Sequence, residues 1–378
     1  MGVRMAIDGA TVIMVKAERV LVVGAGPVGL SAALALSRSG YEVRIVDQAD
    51  GPSTESRAAV VNARTLELLD YFGVAADLID AGVRLDGLKV VSGFTTMTTV
   101  NMTRLKHPFN FILGLPQSET EAILDDHLAF EGITVERGTK VSELFQDSAR
   151  VNVTTTRGYD RHEESYDWVL GADGAHSTVR KALSLDFAGE AYPFQWSLAD
   201  VDIDVGAEMG WGELRLDPGR PILLRVPIAD GRHRLISNAP NVLDLAPPAW
   251  QLGALHWSAD FSVSHRHVAV QGKGRVWLAG DAAHIHSPAG GRGMNLGIED
   301  AVTFARFLRA DRLDDWAAWR LRKAAAVLTE SDRMQRFATA DRAVMRRIGP
   351  RLAGVALKVP ALHRRLITRT AGLFDLKP

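Results

Sequence analysis

The chain alternates between short, wholly apolar runs and longer stretches in which apolar residues recur every three or four positions. Residues 18–24 (ERVLVVG) predict a short buried strand, and Pro27 to Ser39 then carries apolar residues at helical spacing until Gly40 stops it. Residues 41–46 (YEVRIV) predict a second strand that ends at Asp47. Strand, helix and strand in this order imply a parallel sheet with a right-handed crossover. A polar loop (GPSTES) follows, then a helix over 63–72 closed by Gly73. Residues 85–104 alternate and predict short antiparallel strands. Ser118 and Glu121 form a capping-box pattern that opens a helix to about Phe130. Strands are predicted at 133–137, 140–146, 149–156 and 165–171, followed by a β-rich middle from 195 to 268. An apolar run returns at 275–280 (RVWLAG), a loop rich in Gly and Pro follows, and helices complete the chain. No internal repeat or low-complexity linker separates these parts, so the domains are expected to interleave.

The bulk properties narrow the function classes. At 378 residues the chain is long for a single core and sufficient for two intertwined domains. A net charge of -1 gives no global pull toward nucleic acid. The absence of cysteine excludes disulfides, thiolate catalysis and thiolate metal sites, and fits a reducing compartment, taken as cytoplasmic. No apolar run reaches the length of a membrane span. Asp8, Gly2 and Gly9 interrupt the first 17 residues, which therefore read as a loose extension and not as a signal peptide.

The first chemical motif is Gly24-Ala25-Gly26-Pro27-Val28-Gly29, a G-x-G-x-x-G run between a predicted strand and a predicted helix. Gly24 allows a tight turn, Gly26 lets a pyrophosphate approach the backbone, and Gly29 lets helix and strand pack closely. The phosphate sits at the helix N-terminus, where free N–H groups and the dipole favour negative charge. Asp47 stands 23 positions after Gly24, placed to accept hydrogen bonds from an adenosine ribose. This motif alone does not separate FAD from NAD.

Two later motifs do. Residues 168–180 (WVLGADGAHSTVR) end a strand at Gly171 and continue with Asp173-Gly174; residues 277–297 (WLAGDAAHIHSPAGGRGMNLG) end a strand at Gly280-Asp281 and continue through Pro288 and three glycines. The three motifs in this order and spacing resemble the class A flavoprotein monooxygenases, the para-hydroxybenzoate hydroxylase-like aromatic hydroxylases, over most of residues 18–310. The resemblance implies an α/β fold in which a Rossmann-like FAD-binding domain (15–84, 105–184 and 270–309) is interleaved with a smaller β-sheet substrate domain (85–104 and 185–269), with C-terminal helices over 310–378. It implies FAD as cofactor and NAD(P)H as co-substrate. The activity it implies is hydroxylation of a small phenol- or polyketide-like aromatic by O2 through a flavin 4a-hydroperoxide. Epoxidation, Baeyer–Villiger oxidation and dehydrogenation on the same fold stay open, since cofactor motifs do not name a reaction. The W-x-W-x-x-P run of flavin halogenases is absent.

Residue by residue, the resemblance implies that Asp281 bonds the ribityl chain, and that Asp173 and Gly174 serve both FAD and the approach of NAD(P)H. It places Arg57 near the pyrophosphate, Gln117 against the flavin side of the cofactor, and Pro288 beside the reacting edge of the ring. The backbone of Met294 and Asn295 would face the pyrimidine end. Reduced flavin is an anion there; Gly290, Gly291 and Gly293 admit the backbone closely, and a helix start supplies N–H groups and a positive dipole end. Arg292 stands where the commonest family pattern has glutamine. It either strengthens stabilisation of the flavin anion, as a catalytic residue with Pro288, or points to solvent.

The remaining candidates read more plainly. His284 and His286 are two apart with no HExxH pattern, so they are expected to order the loop by hydrogen bonds and not to bind metal. Of Phe187, Phe194, Trp196, Trp211, Trp257 and Phe261, two or three are expected to line an apolar substrate pocket. From Ser331 to Pro378, 11 Lys/Arg face 3 Asp/Glu, with Phe337, Val344, Ile348, Leu352, Val355, Leu362 and Leu366 at helix-like spacing. The reading adopted is a helical cap with a solvated basic face; weak contact with an anionic membrane surface is the second reading. The oligomeric state is not legible.

Overall fold

The computed structural model describes residues 3–8, 11–53, 58–204, 209–217, 219–286, 291–339 and 359–374. Its α/β centre is a five-stranded sheet in the order Gly272–Lys273, Val276–Leu278, Trp168–Gly171, Arg19–Val23, Glu42–Val46. All neighbours are parallel except the short Gly272–Lys273 edge. Val20, Leu21 and Val22 are fully buried, which is why the run reads as continuously apolar: a strand covered on both faces has no polar side. Helix α1 (Pro27–Arg38) supplies Leu30, Leu34 and Leu36 to the core.

Helices α2 (Ala63–Asp70), α3 (Val74–Ala81) and α4 (Gln117–Phe130) follow, with α5 (Thr178–Ala182) after the third parallel strand. Asn62 caps α2 by accepting the Thr65 N–H at 2.9 Å. The helix predicted over 63–72 ends at Asp70, and a second helix, α3, follows it. Gly73, in the left-handed region at φ 73°, ends one helix and caps the next. The predicted strand at 133–137 reduces to a single bridge, Val46 to Glu136. The predicted strand 165–171 divides at Asp167: Asp160–Tyr166 joins a three-stranded antiparallel sheet with Lys140–Gln146 and Val151–Arg157. The N-terminal residues differ from the loose extension expected of them, since Val3–Asp8 and Thr11–Lys16 pair as an antiparallel hairpin.

An eight-stranded sheet stands beside the parallel one and joins two distant parts of the chain. Gly87–Ser92 pairs parallel with Trp211–Arg215 on one side and antiparallel with Thr95–Asn101 on the other. Beyond Trp211–Arg215 come Leu223–Ala229, Arg232–Ser237, Ala188–Asp204, Gln251–His267 and His284–Ile285.

Helices α6 (Gly293–Arg309), α7 (Leu313–Thr339) and α8 (Pro360–Thr370) complete the described chain. His363 and Ile367 of α8 are buried, with Ile367 in one cluster with Val100 of the sheet and Met102 of the 3-10 turn after it, while Arg364 and Arg365 face outward. Val344, Ile348, Leu352 and Val355 lie outside the described residues. Among the described residues no helix is long and apolar enough to cross a membrane.

Candidate active site

The glycine turn lies where the strand Arg19–Val23 meets α1, and its glycines are required for different reasons. Gly24 has φ 100°, and a Cβ there would lie 2.4 Å from the Ala172 carbonyl oxygen. A Cβ at Gly29 would lie 1.8 Å from the Gly24 carbonyl oxygen. At Gly26 an added Cβ meets nothing within 4 Å. Protein packing therefore dictates Gly24 and Gly29, whereas Gly26 borders open space, as a pyrophosphate path requires. The first helical bond is Leu30 N–H to Gly26 O at 3.0 Å, which leaves the Val28 and Gly29 N–H groups ahead of it at the helix start. Asp47 accepts the Ala25 N–H at 2.6 Å and the Ala49 N–H at 2.8 Å. Its carboxylate thus holds the turn in place, and each oxygen retains acceptor capacity for a ribose hydroxyl.

The second and third loops arrive at the ends of the adjacent parallel strands. The Asp173 carboxylate is committed within the protein: it accepts from Ser177 Oγ at 2.6 Å, Thr178 N–H at 2.7 Å and Val179 N–H at 3.2 Å, capping α5. Gly174, at φ 74°, has open space where a Cβ would stand. Asp281 sits exposed in the one-turn helix Gly280–Ala282. Gly280 has φ 60°; Cβ atoms at Gly280 and Gly297 would lie 2.9 and 2.6 Å from Val28 Cγ2. The side chain of Val28 thereby brings the first loop, the third loop and α6 into one contact. Arg180, buried and unforeseen in the sequence, donates to Ala282 O at 2.9 Å and Ala175 O at 2.8 Å, tying the second loop to the third.

The start of α6 faces the same region. Its first bond is Leu296 N–H to Arg292 O at 2.8 Å, so the N–H groups of Gly293, Met294 and Asn295 precede it. The Asn295 side chain accepts the Asn62 N–H at 2.9 Å and donates to Val60 O at 3.0 Å and Gly291 O at 2.9 Å. Gly291, at φ 61°, would place a Cβ 2.5 Å from Val60 Cγ2. Arg292 departs from both roles expected of it. It is 6% exposed and donates to Glu330 of α7 at 2.7 Å, with Phe374 beneath the guanidinium at 5.7 Å. Its charge neither points to solvent nor stands unpaired for a flavin. Gln117 accepts the Ala58 N–H at 3.3 Å and donates to Glu121 at 2.8 Å, bracing the segment before Val60. Arg57, Pro288 and Gly290 lie outside the described residues.

Behind the third loop is a buried ionic network that the sequence motifs do not foretell. Asp300 of α6 accepts the Gly280 N–H at 3.0 Å, His284 Nε2 at 2.6 Å and Arg320 Nε at 2.5 Å. Glu299 pairs with Lys323 at 2.7 Å, Arg320 at 2.8 Å and Arg64 at 3.1 Å. Burial alone would raise both carboxyls; the Arg320 guanidinium, with Lys323 at Glu299 and His284 at Asp300, outweighs burial and holds each at about 2. His284 has the loop-ordering role expected of it. Among the described residues no group of His, Asp or Glu could hold a metal.

The eight-stranded sheet turns one face toward this region. On that face Arg234 binds Asp200 through two 2.7 Å bonds and donates to Ala58 O at 2.9 Å. Two residues further along, the cross-strand register runs Ile236, Leu224, Leu214, Val90, all half-buried and apolar. Leu224 and Val60 both pack against the buried cluster of Ala59, Leu85, Val226 and Ile228. Trp196 and Phe261 meet on the same face with their ring centres 6.4 Å apart and tilted by 32°, and Trp257 lies over Arg234 at 5.4 Å. Phe187 instead packs under Arg180 at 3.9 Å, outside this surface. The Phe194 side chain lies outside what is described.

Three loops at the ends of parallel strands, an open glycine and a helix start beside an apolar sheet define a flavoprotein with a dinucleotide cradle built from separate chain segments. Residues 17–224 and 241–331 match the family described as FAD binding domain. A 6-methylpretetramide 4-monooxygenase of Streptomyces rimosus is 34% identical over 95% of this chain and 69% of its own length. The chain spans about two thirds of the curated relatives it matches. The p-nitrophenol 4-monooxygenase of Pseudomonas putida superimposes with TM-score 0.86 over 96% of this chain and 99% of its own, at 23% identity, a likeness of fold. The anhydrotetracycline hydroxylase of S. rimosus gives 0.77 over 96% and 77%, at 28% identity. The chain belongs to this FAD-binding family, that of the class A flavoprotein aromatic hydroxylases.

Proposed function

We propose that the chain is an FAD-dependent monooxygenase that consumes NAD(P)H and O2 to hydroxylate an aromatic substrate of polyketide or phenol type. The observation that carries this reading is the apolar row Ile236, Leu224, Leu214 and Val90, on a sheet tied through Ala58 and Val60 to the start of α6. When bound, FAD supplies the redox chemistry, accepting a hydride from NAD(P)H and activating O2. The N–H groups of Val28 and Gly29 would bind pyrophosphate oxygens, and Asp47 and Asp281 the hydroxyls of ribose and ribityl chain. The N–H groups of Gly293, Met294 and Asn295 would stabilise negative charge at the pyrimidine end. Arg57 and Pro288 enter the proposal on family resemblance, near the pyrophosphate and the reacting edge. Arg292 enters it as an anchor of α6 and not as a flavin-facing cation.

The sheet row would exclude water and orient a flat substrate. It crosses four neighbouring strands, roughly 14 Å at a spacing of about 4.8 Å, which suits several fused rings better than one. The names of relatives acting on 6-methylpretetramide and anhydrotetracycline support the polyketide side of the reading. Dependence on NAD(P)H fits a cytoplasmic protein. The test is turnover of the FAD-loaded protein with NADH or NADPH and isotopically labelled O2, against single-ring phenols and multi-ring polyketide aromatics. The expected result is substrate-stimulated NAD(P)H oxidation with one labelled oxygen in the product. Product oxidised without labelled oxygen would replace hydroxylation with dehydrogenation. An ester product would mark Baeyer–Villiger oxidation, and an oxirane would mark epoxidation.

A further inference from the structure

Burying ionised groups is expensive, and an apolar cluster of equal volume often stabilises a fold as well or better. The fully buried Asp300 and Arg320, with His284 only 2% exposed, therefore call for an account beyond stability. Their arrangement is divided by oxygen. Asp300 Oδ2 takes both donors from the third loop, the Gly280 N–H at 3.0 Å and His284 Nε2 at 2.6 Å. Oδ1 takes Arg320 Nε of α7 at 2.5 Å, and Arg320 also donates to Leu296 O in the first turn of α6 at 3.1 Å. The contact with a carboxylate requires the proton on Nε2 of His284. On the other side of Asp281, Ala282 O is held by Arg180 at 2.9 Å. The exposed Asp281 is thus clamped in the backbone on both sides.

We propose that His284, Asp300 and Arg320 are positioning residues for the cofactor: Arg320 orients the Asp300 carboxylate, which through Gly280 and His284 sets the turn that presents Asp281. The proposal rests on the FAD reading above. It extends the cofactor site to α7, a helix that carries none of the three glycine-rich motifs. A purely structural cluster would change protein stability alone. A positioning network changes cofactor affinity in proportion to the donor it loses.

The experiment is titration of FAD into the apoprotein, followed by flavin fluorescence, with apoprotein Tm measured in parallel. His284→Leu removes the donor; His284→Gln retains an N–H of similar reach. Loss of one charge-assisted bond is expected to raise the FAD Kd about tenfold in His284→Leu, equivalent to about 1.4 kcal/mol. His284→Gln is expected to restore most of that affinity and to shift the flavin midpoint potential less than His284→Leu does. Wild-type Kd in His284→Leu, whatever its Tm, would overturn the proposal, as would equal losses in both variants. If His284→Leu does not fold, Arg320→Lys carries the same test, since it keeps the charge while losing the bond to Leu296 O. A wild-type protein that takes up no FAD would overturn the functional reading itself, before any variant is compared.

Discussion

Gly26 and Gly29 are three residues apart in one motif, yet the structure gives them opposite consequences on substitution. Gly26 has φ -76° and ψ -176°, a conformation open to any residue, and an added Cβ touches nothing within 4 Å. Gly26→Val should therefore leave the apoprotein nearly unchanged. The exchange at a helix N-cap costs about 0.5 kcal/mol, a shift of only ~1–2 °C in Tm. The side chain would instead fill the space through which a pyrophosphate must pass. Forced overpacking costs about 1–3 kcal/mol, which corresponds to a roughly 5- to 150-fold weaker FAD Kd. Gly29→Ala behaves the other way, because its Cβ would fall 1.8 Å from the Gly24 carbonyl oxygen and must displace backbone. It should lower the apoprotein Tm by several degrees before any cofactor is added. The assay pairs calorimetry of the apoprotein with FAD titration. Gly26→Val that binds FAD within threefold of wild type would refute the assignment of this open space to the cofactor.

Three further outcomes are expected. Asp281→Ala should weaken FAD retention while sparing the apoprotein, since the residue is exposed; full FAD after gel filtration would count against its ribityl role. Arg234→Met should destabilise the fold by about 3–5 kcal/mol in urea unfolding, because Asp200 is left buried and uncompensated; a loss below about 1 kcal/mol would show that the pair is neutral. Glu299 and Asp300 are held at about 2, below their ordinary 4.5 and 3.8. Their contribution is therefore complete above pH 4.5 and lost as pH falls from there toward 2. Glu299→Gln should flatten the acid limb of the stability curve, and an unchanged slope would remove Glu299 from the titration.

The parallel strands were legible because both faces of each are covered, which leaves an apolar run with no polar interruption. The cradle was legible because its glycines obey local rules of turn and packing. Helix α3 escaped because Gly73 reads as a stop, while its left-handed backbone also starts the next helix. Asp300, His284 and Arg320 escaped because no local spacing joins them: their bonds span 16 and 20 residues between a loop and two helices. A signal existed. Asp300 lies among Ile298, Ala301 and Val302, and Arg320 follows Trp316 and Trp319, so each places a charge on the apolar side of its helix. The partner of Arg292 is hidden from the sequence for a related reason, since Glu330 stands 38 positions away.

The segment from Ala58 to Asn62 explains how a sheet drawn from two distant stretches keeps its register against the cofactor loops. Ala58 offers its carbonyl to Arg234 of the sheet and its N–H to Gln117 of α4. Val60 offers its carbonyl to Asn295 at the start of α6, and its side chain lies beside Gly291 and, like Leu224, against the cluster of Ala59, Leu85, Val226 and Ile228. Asn62 returns an N–H to Asn295 and caps α2. Five residues thus bind the apolar row, the α6 start and two further helices through alternate backbone groups, as an extended chain allows. The distance between sheet and helix start is then set by the side-chain hydrogen bonds of Arg234 and Asn295 to this backbone. Substrate preference can consequently drift with the side chains of the row, such as Leu214, Leu224 and Ile236, without disturbing the N–H groups of Gly293, Met294 and Asn295. Exchanges along the row should change which aromatic stimulates turnover while leaving FAD affinity near wild type.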